Sequence, residues 1–89
     1  MSIGKLFGAN LAHYREAAGL SQEQTGFMAD LHRTEISQLE RGLRVARIDT
    51  VVKLAGALGI TPCELLDGIE WKPAVIQPGE FRASGKAGP

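Results

Sequence analysis

The segment Arg33–Arg41 carries several long polar side chains, Arg33 and Gln38 among them, of the types that can read a flat polar partner. An arginine fork matches the two acceptors of guanine, and a glutamine amide matches the donor and acceptor of adenine, each through paired hydrogen bonds. Other chemistry has less support. His13 and His32 are too isolated for a metal site, and helix-end packing is the reading adopted for both. Cys63 is alone, so it forms no disulfide within the chain and reads as an inert, partly buried thiol. The 11 glycines make no phosphate-cradling pattern. No nucleophile, base and orienter follow one another in a recognisable order, so neither an enzyme nor a cofactor or metal site is expected.

The elements that must position Arg33 and Gln38 are helices. Ile3, Leu6, Phe7, Leu11, Tyr14 and Ala18 keep the three-and-four spacing of one buried face, predicting a first helix over about 3–18 that Gly19 stops. Ser21 and Gln24 form a capping box for a second, short helix ending near Ala29. Asp30, Leu31 and His32 make the turn, and a third helix runs from about Arg33 to Arg41 over Ile36 and Leu39. A fourth helix is predicted over about 48–58, burying Ile48, Val51, Val52, Ala55 and Leu58. Thr61, Pro62 and Glu64 then open a fifth, ending near Asp67. From Ile69 the pattern alternates around Trp71, with a turn at Gln77–Glu80 before Phe81, as in a small β-hairpin. The last six residues should be loose.

With 89 residues the chain fits one core and 44% hydrophobic content suits a globular protein. Its apolar runs are too short to cross a bilayer or to act as a secretory signal, so no membrane role and a reducing, cytoplasmic setting are expected. Net charge is zero, unusual for a partner of nucleic acid. The charge is unevenly placed. Arg33, Arg41, Arg44, Arg47 and Lys53 outnumber Glu35, Glu40 and Asp49 in the middle, whereas Lys72 faces Glu64, Asp67, Glu70 and Glu80 further on. The middle of the chain is the part suited to phosphate.

Residues 20–42, two short helices around a three-residue turn, describe a helix-turn-helix. They resemble the XRE family, the lambda-repressor and Cro-like class. Its opening L-S-Q-E stands at Leu20–Glu23, its I-S-x-L-E-R-G ending at Ile36–Gly42, and its later pattern at Thr50–Ile60 and Glu64–Leu66. The resemblance covers about residues 5–67. It implies an all-α, five-helix bundle whose third helix enters the major groove of double-stranded DNA. It also implies a transcriptional regulator that works as a homodimer on a two-fold symmetric operator. By position, Arg33, Thr34, Glu35, Ser37 and Gln38 would face bases, and Gln22, His32, Arg41, Arg44 and Arg47 would face the sugar–phosphate backbone.

Thr25, Gly26 and Asp30 depart from the family's usual leucine, alanine and glycine. Phe27 and Met28 stand where the family is usually polar, and inward packing or cover by the C-terminal tail is the reading adopted. The expected division is a DNA-binding domain over 1–68 and an extension over 69–89. Trp71, Ile69, Val75, Ile76 and Phe81 would need either docking on their own domain or a second subunit. The competing function is a protein-interaction module, such as an antitoxin or restriction-modification controller, with DNA binding secondary.

Overall fold

The computed structural model describes residues 2–84. Five helices run in order: α1 (Ile3–Ala17), α2 (Gln22–Ala29), α3 (Arg33–Glu40), α4 (Ile48–Leu58) and α5 (Pro62–Leu65). An antiparallel hairpin follows, of β1 (Ile69–Lys72) and β2 (Glu80–Ala83). The caps set these limits. Ser2 accepts the Lys5 N–H, and Ser21 with Gln24, and Thr61 with Glu64, close reciprocal capping boxes. At the end of α2, Asp30 adopts the left-handed conformation (φ 60°), which aspartate tolerates better than most residues.

Phe7, Leu11, Ala29, Ile36, Leu39, Val51, Leu54, Ala55, Leu58 and Leu65 form one core, so every helix supplies at least one member. On α4 the inward stripe is Val51, Leu54, Ala55 and Leu58, the three-and-four spacing of a single face. The expectation for Ile48 and Val52 fails here. Ile48 opens the helix one turn ahead of the core and is 85% exposed, while Val52 points about 100° away from the stripe and is also exposed. Ala18 is an exposed cap residue rather than part of α1's buried face. Helices α3 and α5 end slightly early, with Arg41 and Leu66 as C-caps. Cys63, expected to be partly buried, is exposed.

Phe27 and Met28 also depart from expectation. Phe27 is 88% exposed and Met28 is 54% exposed, so neither packs inward nor is covered by the tail. Thr25 and Gly26 leave no space beside them for either side chain to fill. Thr25 is fully buried, and Gly26 lies against the turn, where a Cβ would stand 2.7 Å from the Leu31 carbonyl oxygen. Gly26 therefore lets the chain turn tightly into α3. Thr25 brings a cost: its Oγ1 is buried without a hydrogen-bond partner among the described residues. Thr25→Val keeps the shape and removes the stranded hydroxyl. It is expected to raise stability by about 1 kcal/mol and Tm by about 5 °C in a thermal melt.

The hairpin is tied to the bundle at its base. Asn10, buried on α1, donates through Nδ2 to the carbonyls of Leu65 (2.9 Å) and Asp67 (2.8 Å). Ile69 packs against the core, and the Ser84 N–H bonds the Gly68 carbonyl. Two strands alone are marginal in water, and this anchorage supplies what they lack. Trp71 pairs across the ladder with Phe81, edge to face at 4.9 Å, and Glu70 meets Arg82 at 2.5 Å. Gly79 sits so close to the Trp71 ring that a Cβ would collide with it. Val75 and Ile76, at the tip, remain exposed.

Candidate nucleic-acid interface

The helix predicted to read DNA presents its polar side outward. Ile36 and Leu39 hold α3 in the core, leaving Arg33 and Thr34 exposed and Glu35, Ser37 and Gln38 half-buried. The start of the helix is organised by His32. Its Nδ1 accepts the Thr34 N–H at 3.0 Å, so the ring proton lies on Nε2, where it can donate outward. Glu35 lines a shallow hollow together with Arg44 and Arg47.

The basic residues after α3 are placed unequally. Arg41 donates through Nε to the Ser37 carbonyl at 3.3 Å and remains exposed. Arg44 reaches back to Gln38, with Nη1 to Oε1 at 3.1 Å. Arg47 meets Asp49 at 3.3 Å in solvent, an exposed pair of little energetic weight. Arg41, Arg44 and Gln38 therefore lie together around the end of α3, whereas Arg47 belongs to the start of α4.

Gln22 sits in a network that sequence reasoning missed. Glu40, at the end of α3, accepts from Arg15 Nε at 2.5 Å, from Arg15 Nη2 at 3.1 Å and from Gln22 Nε2 at 3.1 Å. Arg15 also donates to the Leu20 carbonyl at 2.8 Å. One largely buried carboxylate thus joins α1, the start of α2 and the end of α3. The hydrogen bond to Glu40 holds the Arg15 guanidinium above its ordinary pKa, against the lowering effect of burial. Gln22 keeps a second amide hydrogen at the positive end of α2, where an anion is favoured. The signal for Glu40 was its place in the I-S-x-L-E-R-G motif, but a partner 25 residues away leaves no mark in local spacing.

A short helix, a left-handed turn and a second helix with an outward polar face, set in a five-helix bundle, define a helix-turn-helix domain of the lambda-repressor type. Residues 11–65 match the helix-turn-helix family HTH_3. The chain belongs to that family, and is a DNA-binding transcription regulator of the XRE type. It is 43% identical over 67 residues to control protein C.BamHI of Bacillus amyloliquefaciens, covering 74% of this chain and 83% of the relative. Control protein C.SmaI of Serratia marcescens is 38% identical over 66 residues, 74% of this chain and 79% of the relative. Among solved structures, the restriction-modification controller protein C.AhdI of Aeromonas hydrophila superposes with a TM-score of 0.68 at 42% identity. That match covers 70% of this chain and 94% of the other.

Proposed function

We propose that this chain controls the genes of a restriction-modification system, binding a two-fold symmetric operator as a homodimer in the cytoplasm, without catalytic activity of its own. The observation that carries the DNA-reading role is the outward polar face of α3, flanked by arginines and by the amide of Gln22. Arg33, Thr34, Glu35, Ser37 and Gln38 face base edges; Gln22, His32, Arg41, Arg44 and Arg47 lie along the backbone. The likeness to C.BamHI, C.SmaI and C.AhdI supports the controller role. A dimer is supported by the apolar side chains that the bundle leaves exposed after α3, Val45, Ile48, Val52 and Leu66. Residues 2–68 act as the binding domain and the hairpin as its extension.

Footprinting on DNA upstream of the chain's own gene is expected to show two protected half-sites, with a dimer in sedimentation. Arg33→Ala should lose about 1–3 kcal/mol of discrimination at one base pair of each half-site. Arg41→Ala should weaken operator and scrambled DNA equally and reduce the salt slope by about one unit. Equal losses on both DNAs for Arg33→Ala would remove its reading role. The exposure of Phe27 and Met28 favours a second reading, in which the outer face of α2 engages a protein while α3 engages DNA. Phe27→Ser would separate the two, leaving operator affinity intact while losing that association.

A further inference from the structure

We infer that Arg44 and Gln38 act as one reading unit that selects guanine; this rests on the DNA-reading role proposed above. The loop after α3 is fastened to Gln38 twice. The Leu43 N–H bonds the Gln38 main-chain carbonyl at 2.9 Å, and Arg44 Nη1 bonds the side-chain carbonyl at 3.1 Å. The loop itself is seated on α1. Gly42 takes φ +71°, and a Cβ there would stand 2.6 Å from Lys5 Cγ; a Cβ on Gly4 would stand 3.3 Å from the Gly42 and Arg44 carbonyl oxygens. Arg44 is thus delivered to Gln38 by backbone that is held in place, before any DNA is present.

That contact changes what Gln38 can read. A free glutamine amide recognises adenine by accepting from N6 and donating to N7. Here one of the two lone pairs of the amide oxygen already takes a guanidinium N–H, the positive charge beside it opposes a second donor there, and the other polar groups of both side chains are N–H donors. Guanine offers two acceptors, N7 and O6, on the same edge. The amino group of adenine would instead face the arginine's own donors and positive charge, and so would that of cytosine. The pair therefore prefers guanine, and Arg44 is a positioning residue for Gln38 as well as a cation near phosphate.

The test is selection of binding sites from a randomised duplex library by the full chain and by Gln38→Ala, Arg44→Met and Arg44→Lys, each checked by thermal melting. Gln38→Ala identifies the base pair that Gln38 reads. The wild type is expected to favour guanine over adenine there about tenfold or more. Arg44→Met should lose that preference at that pair alone, and Arg44→Lys should lose it while keeping the wild-type salt slope. A wild-type preference for adenine at that pair would overturn the inference, as would a Gln38→Ala protein with unchanged selectivity. So would an Arg44→Met protein weakened evenly over all sequences, which would leave Arg44 as a phosphate ligand. If the wild type selects no sequence, the DNA-reading role itself falls and the inference with it.

Discussion

Gly8→Ala is expected to remove about 3 kcal/mol of stability, lowering Tm by about 15 °C, although alanine is the better helix former. Alanine gains only about 1 kcal/mol from helix propensity. The Cβ, however, enters space occupied by backbone: it would run into the Leu39 carbonyl oxygen and stand 2.6 Å from that of Glu40. Carbonyls at the end of a helix cannot rotate aside as a flexible side chain can. Helices α1 and α3 must separate, which moves α3 relative to the rest of the bundle. Operator affinity should fall further than the unfolded fraction alone explains, and calorimetry with binding measured well below Tm checks both effects. A melt like that of the wild type would mean the two helices can part freely.

Arg15→Met should cost about 3 kcal/mol, because it leaves the largely buried Glu40 carboxylate with Gln22 as its remaining side-chain partner. The loss is much larger than an exposed ion pair could give, about 1 kcal/mol or less. Glu40→Gln in the same background should restore part of the stability by removing the stranded charge. A double-mutant cycle between the two positions should give a coupling above about 1 kcal/mol. Additive losses would show that the pair contributes only through packing. Since Glu40 also orients Gln22, Arg15→Met should weaken binding to all DNA sequences alike.

The bundle was readable from the chain because its signals are local. The capping boxes at Ser21 and Thr61, the turn at Asp30–His32 and the stripes on α1 and α3 each lie within a few residues, and each helix began within about one residue of expectation. What failed depended on the assembled molecule. Ile48 and Val52 fit an apolar pattern, yet whether a helix face meets a neighbour depends on where that neighbour stops. Phe27 looked like a side chain in need of a cavity, but Thr25 and the close approach of Leu31 at Gly26 leave none. The site divides in the same way. The α3 face was visible as a run of polar residues, whereas the bonds Arg44–Gln38 and Arg15–Glu40–Gln22 come from packing. The hairpin was legible in the alternation around Trp71, but the turn expected at Gln77–Glu80 was not where the chain turns: Glu80 pairs with Lys72 inside β2, and residues 73–79 make the connection.

The Asn10 amide has a kinetic consequence. Its bond to the Leu65 carbonyl closes a span of 55 residues, far longer than the turns joining successive helices. Chain closure over such a length adds entropy cost to an ordering step, so short-range contacts gain first. The α1–α3 unit should therefore assemble early, and the Asn10 bonds should form on the native side of the barrier. Substitution of Asn10 by alanine would then leave the refolding rate nearly unchanged and speed unfolding, with a φ-value near zero. The same bonds that hold the end of the bundle in place would govern how long the folded molecule lasts, not how fast it forms.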